Sequence, residues 1–525
     1  MHSVTRPTAC RIRHALVALI SSQAETVLCH YQARCPGGHP PVTRVLLVAG
    51  TDLPSSKGAI IVTSGIRGTF FDFVDDPWKH VGREEESARF LRDGLLVIED
   101  GVIVAFGPFD EVSPLHPDLD VTEIRERIIT PGFIDGHVHV PQTRALGAFG
   151  QQLLPWLIDT VFPEEARYSD REYAREGSER FLENMLAGGT TTVQAFTTTS
   201  TVAVEEFFEA AARRDMLVIS GVTGIDQFAP EGSTSTPEQF YDDSKAMIAK
   251  YHGVGRNRYA ITPRFALGAS KDLLKACQRL KQEHPDLWVN THISENPLEI
   301  SNLLLAHPDC TDYLGVYEKY DLVGPKFSGG HAVWLSDNEF GRLSDSGGAV
   351  VFCPCSNLFL GSGIFRLGKA TDPDRRVKMS FGTDMGGGNR FSMIHVLDEA
   401  YKVGMLGNTL LDGTTNRVTQ DLAASERSKL SPYRAFWSVT LGGAEGLYID
   451  DQVGNFEVGK SADFVALDWN AGPSAMPWHQ SLFFDEAGPT TMEEAAHALF
   501  AVMMVGDDRN VDETWVSGVR LYKKG

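Results

Sequence analysis

The chain has 525 residues and a mass of 57.6 kDa, long enough for a barrel of ordinary size plus one accessory domain. Its 48 basic and 69 acidic residues give a net charge of −21, which removes electrostatic support for nucleic-acid binding, and no apolar run approaches the roughly 20 residues that span a bilayer. Neither nucleic acid nor membrane is therefore expected as a partner. Seven cysteines, an odd number without disulfide-like spacing, fit a reducing compartment, and a cytoplasmic location is expected. Cys353 and Cys355 flank Pro354, forming neither a redox pair nor a Pro-Cys-x-x-Cys zinc signature, so no thiolate metal site is expected.

Residues 1–57 differ from the rest. Arg6, Arg11, Arg13, Arg34 and Arg44 share this stretch with three cysteines, and no acidic residue precedes Glu25, the composition of a transit peptide. The apolar run Ala15 to Ile20 is shorter than a secretory core. A disordered extension and translated upstream sequence are the other readings; no methionine lies between Met1 and Met185, so a shorter product would need another start codon. From Gly58 short alternating strands are predicted at Ala59 to Thr63, Ile66 to Phe73, Leu95 to Glu99 and Val102 to Phe106, with Asp100-Gly101 as a hairpin turn.

After Pro131 the rhythm becomes strand then helix. Apolar strands are predicted at Phe133 to His139, Thr190 to Phe196, Leu217 to Val222, Tyr259 to Leu267, Trp288 to Ile293, Phe327 to Val333, Ala349 to Pro354 and Met379 to Thr383. Helices between them include Arg171 to Leu186, ending at Gly188-Gly189, and Lys271 to Glu283 after the N-cap Ser270. Repeated strand–helix units imply a parallel sheet, and eight of them a closed barrel whose site lies at the strand C-terminal ends. The barrel is expected to finish near Thr440 to Leu447. Glycine-punctuated strands return at Gly454 to Asp468 and Glu513 to Lys524. The expected architecture is an α/β, (β/α)8 TIM-like barrel over 131–444, with a small β-sandwich built from both flanks, 58–130 and 445–525.

The chemistry concentrates at strand ends. In an extended strand residues i and i+2 face the same way, so His137 and His139 can offer two imidazoles to one metal ion. Alternating histidines alone are also the pattern of a solvated strand face. Three later segments shift that balance, each an apolar strand running into a polar loop: Leu287 to Glu295 brings His292 and Glu295, Phe327 to Leu335 brings His331, and Lys378 to Asp384 brings Asp384. Singly, His292 reads as a core histidine, Glu295 as a loop carboxylate and Asp384 as a turn former; together they describe a mononuclear metal site.

With these residues in place the chain resembles the amidohydrolase superfamily, and within it the guanine-deaminase branch. The resemblance rests on PGFIDGHVHVPQ at 131–142, TPRFALG at 262–268, THISEN at 291–296, CPCSNLFLGSG at 353–363, FGTDMGGG at 381–388 and VGDDRN at 505–510. It implies His137, His139, His292 and Asp384 as ligands of one zinc ion per subunit, with iron(II) as the alternative. It further implies Gln142, Arg264 and Phe265 as purine contacts, Arg264 donating to a ring carbonyl and Phe265 stacking. Asp384 would deprotonate a metal-activated water, Glu295 would protonate the purine ring and carry protons to the leaving amine, and His331 would bond the attacking oxygen. The implied reaction is hydrolysis of guanine to xanthine and ammonia, in a homodimer.

Asp226 is followed by Gln227 and Phe228 where this branch has an Asp-x-Asn pattern, which leaves open a hydrolase acting on another amino-heterocycle: a triazine, a pterin or an oxidised guanine. Cys355 stands where a small or hydroxylated residue is usual. A dinuclear hydantoinase-type centre needs a lysine at the end of the fourth strand, and Tyr259 to Leu267 has none. A catalytically silent scaffold homologue would be expected to have lost ligands, and here all are present.

Overall fold

The computed structural model describes residues 29–31, 44–46, 62–148, 152–407, 409–412, 417–420 and 428–525. Within the first 60 residues it describes one short antiparallel pair, Cys29–Tyr31 with Arg44–Leu46; the remainder of the extension, and most of the strand expected from Ala59, lie outside the described residues.

The N-terminal flank contributes four strands, β1 (Thr63–Phe73), β2 (Ala88–Glu99), β3 (Val102–Pro108) and β4 (Val121–Pro131). Asp100 and Gly101 turn β2 into β3 at φ 48° and 84°, the double left-handed geometry of a tight hairpin. The barrel strands follow: β5 (Phe133–His139), β6 (Thr190–Phe196), β7 (Leu217–Gly221), β8 (Asn257–Pro263), β9 (Trp288–Ile293), β10 (Phe327–His331), β11 (Ala349–Phe352) and β12 (Lys378–Phe381). The C-terminal flank adds β13 (Phe464–Leu467), β14 (Val511–Val516) and β15 (Val519–Lys523).

Strands β5 to β12 pair in sequence order, every pair parallel; six of the eight are buried along their whole length, and β8 and β12 along all but one residue of theirs. Such strands read as continuous apolar runs because helices cover one face and the barrel interior the other. The seam between β5 and β12 is closed by polar groups. Asp384 donates its N–H to the His137 carbonyl at 2.8 Å, and the Asp135 carboxyl accepts the N–H groups of His137 and Thr383, each at 3.1 Å, together with the Thr383 hydroxyl. No side chain fits there: a Cβ at Gly382 would stand 2.8 Å from His137, and one at Gly136 would meet Ser380 Oγ at 2.5 Å.

The flanks join in one seven-stranded ladder ordered β15-β14-β13-β4-β1-β2-β3, antiparallel except for β1 beside β4, and bulged at several registers. Both chain ends share its core, Phe70 packing on Phe106 and Phe456 at 5.1 and 5.3 Å while Phe464 stacks on Trp515 at 5.2 Å. This is the sandwich expected from the flanks. It aims β5, because β4 runs into it through Gly132, whose N–H donates to Asp463 O, and Asp463 also pairs with Arg256 at 2.6 Å beside β8.

Four expectations need adjustment. Strand β8 stops at Pro263 instead of Leu267, since Ala266–Gly268 winds into a 3-10 turn, and β10 stops at His331, where His331 and Ala332 take φ of 70° and 52°. Between Gly454 and Asp468 only Phe464–Leu467 is strand. Helices Met476–Gln480 and Met492–Val505 fill a stretch for which no element was expected.

Candidate active site

At the C-terminal mouth of the barrel, His137 and His139 project from β5, His292 from β9, His331 from the end of β10, and Asp384 from the turn after β12, all of them buried. Ser294, His331, Ala332 and Asp384 all have positive φ, between 43° and 70°, backbone geometry that non-glycine residues keep only where the surroundings enforce it. The strand ends are bent to turn side chains inward.

The ring nitrogens of His137, His139 and His292 lie within 4.8 Å of one another. His139 Nε2 stands 3.2 Å from His292 Nε2 and 3.3 Å from Asp384 Oδ1, and His137 Nε2 is 3.7 Å from the same oxygen. Ligands about 2 Å from a common zinc ion stand roughly 3.3 Å apart, so these separations fit a cation at the centre. Both ring nitrogens of His137 and Nδ1 of His139 are buried without a partner. Burial pushes the pKa of all three histidines down, far down for His137 and His292, so each is a neutral lone-pair donor. Asp384 is held at about 2: burial opposes ionisation, but the His139 hydrogen bond and the surrounding imidazoles outweigh it. Three neutral nitrogens and one carboxylate are a donor set for a divalent ion. His292 Nδ1 contacts the Arg264 carbonyl at 2.5 Å, which leaves its Nε2 for the centre.

A sulfur also comes close, contrary to what the cysteine spacing suggested: Cys353 shares a cluster with His137 and His331. It is no ligand. Burial, with Asp384 nearby, pushes its thiol pKa well up, and the neutral thiol donates to Val351 O at 3.7 Å.

Beside the histidines, Glu295 Oε2 lies 3.6 Å from His331 Nε2, and Glu295 Oε1 accepts from Ser362 Oγ at 2.9 Å. Burial raises the Glu295 pKa, so this carboxyl holds a proton more readily than a free glutamate. His331 Nδ1 lies 2.9 Å from Asn357 Oδ1, to which it must donate; burial disfavours its charge, yet Glu295 and Asp384 raise its pKa overall. Its Nε2 faces Asp384 Oδ2 at 3.8 Å.

Gln142, Arg264 and Phe265 line the same pocket as His139, His292, Glu295, His331 and Asp384, so all the predicted site residues converge except His137, which is buried immediately behind. Leu153, Trp156, Leu157 and Leu360 provide an apolar wall. Two buried carboxyls were missed in the sequence. Glu165 accepts from Arg264 Nη1 at 2.9 and 2.8 Å and from Gln142 Nε2 at 3.2 Å; Glu299 lines the pocket and accepts from Tyr313. Glu165 sits in an unremarkable helical stretch 99 residues from its partner, but Glu299 had a signal: Asn296-Pro-Leu-Glu299 is the pattern of a capping box.

The loop at Asp226 does not shape the pocket. Asp226 Oδ1 accepts the Ser270 N–H at 2.7 Å, and both Gln227 and Phe228 are exposed. At the end of β8 stands Arg264, and β8 itself carries no lysine. Among the described residues no helix is long and apolar enough to cross a membrane.

A parallel barrel with histidines on its first and fifth strands, a further histidine at the end of the sixth and an aspartate after the eighth defines a class of hydrolase. The Amidohydrolase family model matches residues 128–521, and the chain belongs to that family. A guanine deaminase from Escherichia coli K12 is 41% identical over 464 residues, 87% of this chain and 98% of that protein. A probable guanine deaminase from Deinococcus radiodurans is 38% identical, covering 84% of this chain and 95% of its own. The crystal structure of guanine deaminase from Bradyrhizobium japonicum superposes with a TM-score of 0.86 at 70% identity, over 88% of this chain and all of that one.

Proposed function

We propose that the chain deaminates guanine hydrolytically at C2, giving xanthine and ammonia. The observation that carries this reading is one pocket lined at once by a protonatable glutamate, Glu295, by His139, His292 and Asp384 of the cluster, and by the polar pair Arg264 and Gln142. The strong similarity to guanine deaminases supports the substrate.

His137, His139, His292 and Asp384 would hold one zinc ion per chain, a Lewis acid that lowers the pKa of a bound water from 15.7 towards about 7. Asp384, ionised at about 2, takes a proton from the attacking water through its carboxylate. Glu295, its pKa raised by burial, delivers its proton to the purine ring nitrogen next to C2; the proton taken by Asp384 then passes through Glu295 to the departing amine, which leaves as ammonia, and the hydroxyl proton of the adduct restores Glu295 as C2 becomes a carbonyl. His331, fixed by Asn357 through Nδ1, presents Nε2 to the oxygen that adds at C2. Phe265 stacks on the ring, and Arg264 donates to the carbonyl oxygen. Leu153, Trp156 and Leu157 exclude bulk water from the exchange. On resemblance alone the reading extends to zinc over iron and to a cytoplasmic homodimer.

The test is turnover of the zinc-loaded protein on guanine, with xanthine and ammonia followed together. Equal amounts of both are expected, and Glu295→Ala should lower kcat by about 10²–10⁴ with its metal content retained. A folded, metal-bearing protein that leaves guanine intact would overturn the reading.

A further inference from the structure

Glu165 lies on the short helix Phe162–Ala166, directly after a π-helical turn, Leu157–Val161. The same segment carries Leu153, Trp156 and Leu157 of the pocket wall. Only 5% of Glu165 is exposed, and one of its oxygens, Oε1, receives both Gln142 Nε2 and Arg264 Nη1. Phe162, from the same helix, stands 5.4 Å from the Arg264 guanidinium. Both polar purine contacts proposed, Gln142 and Arg264, are therefore gripped from one short stretch of chain.

The grip has a chemical consequence. An ionised carboxylate only accepts hydrogen bonds, so the Gln142 atom facing Glu165 has to be the amide nitrogen. Its Oε1 is turned away, buried and without a partner. Arg264 uses Nη1 alone on Glu165, bonding both carboxylate oxygens, and no hydrogen bond from its Nε or Nη2 is seen among the described residues. The pocket thus offers a donor at Arg264 beside an acceptor at Gln142, in a fixed order. A lactam edge, a carbonyl oxygen next to a ring N–H, is complementary to that order. An amino group next to a bare ring nitrogen presents the inverse, and against it two donors and two acceptors would face each other.

We propose that Glu165 is a positioning residue that sets this donor–acceptor order and with it the preference for a lactam edge over its amino inverse; the proposal rests on the guanine reading above. A glutamine at this position keeps the volume but can donate as well as accept, so it releases the Gln142 amide to flip and removes the charge that orients Arg264.

The experiment compares wild type, Glu165→Gln and Glu165→Asp. It measures kcat and KM for guanine, the inhibition constant of 2,6-diaminopurine, which carries the amino inverse, and thermal melting. For Glu165→Gln, KM for guanine should rise about tenfold or more with kcat within a few-fold, and the ratio of the diaminopurine inhibition constant to the guanine KM should fall by about tenfold or more. Glu165→Asp, still acceptor-only, should recover most of that ratio. An unchanged ratio in folded Glu165→Gln overturns the proposal, as does equal loss of the ratio in both variants, which would mark a packing role alone. If the glutamine variant does not fold, Glu165→Asp decides: a retained ratio supports the proposal and a collapsed one overturns it. Wild-type protein that does not turn over guanine sinks the underlying reading before any variant is compared.

Discussion

Glu299 couples stability to pH. Its Oε2 accepts the N–H groups of Glu295 and Asn296, both at 3.3 Å, and its Oε1 accepts the Tyr313 hydroxyl, yet burial, reinforced by the nearby charge of Glu295, pushes its pKa up to about 7 from 4.5. The folded state therefore holds a proton that the unfolded chain has already released. The stability this contributes is fully present below about pH 4.5, declines as pH rises, and is gone above about pH 7. Its full span is about 3 kcal/mol. Glu299→Gln cannot titrate, so between pH 4.5 and 7 its unfolding free energy should fall less steeply with rising pH than that of wild type. Parallel curves from denaturant titrations across that window would show that Glu299 is already ionised in the folded protein. At this scale the metal-ligand candidates were legible because the chemistry restricts them to histidine and aspartate at strand ends. Glu165 was not, because its meaning lies wholly in Arg264 and Gln142, which only folding brings to it.

Among elements, the helix Asp337–Ser346 gives a clean case of local coding. Ser336 Oγ accepts the Glu339 N–H at 3.2 Å, and the Glu339 carboxylate takes the Ser336 N–H and hydroxyl, both at 2.8 Å, while Gly347 closes the other end at φ 78°. Ser336→Ala should lower stability by about 1 kcal/mol in urea denaturation, with turnover of guanine unchanged within a factor of two. A loss of activity as large as the loss of stability would mean that this helix end is coupled to His331, five residues upstream. The barrel strands were legible for a related reason: strands buried on both faces are rich in apolar and β-branched residues, and His139 and His331 mark where two of them end. Strand β4 was not. Its first half, Val121 to Arg127, is charged and mostly exposed, so neither an apolar run nor strict alternation betrays it, and it is recruited by pairing with β1 and β13 from distant parts of the chain. Helix Met492–Val505 escaped because, apart from Glu493, Glu494 and His497, it is apolar around its circumference and leaves little helical period to read.

Across the whole molecule, the ligand candidates staple the barrel at its weakest line. β5 and β12 meet without a regular ladder, joined by the Asp384 N–H to His137 O bond and the Asp135 contacts, and His137, His139 and Asp384 come from the two sides of that seam. An ion bound to the native state and not to the unfolded chain stabilises it by RT ln(1 + [L]/Kd), about 2.7 kcal/mol when free metal exceeds Kd a hundredfold. Without it, unpartnered His137 and His139 nitrogens stay buried beside an ionised carboxylate, which costs stability. Chelation should therefore lower the melting temperature, abolish guanine turnover, and speed amide hydrogen exchange at 135–139 and 381–388. Protection at Gly65 to Phe70 and at Leu95 to Ile98 should not change, because these halves of β1 and β2 pair with each other and pack in the flanking sheet's own clusters. Adding one equivalent of zinc should restore all three properties together. If activity returned while exchange at the seam stayed fast, the ion would serve the chemistry alone, and the seam would owe its closure to Asp135.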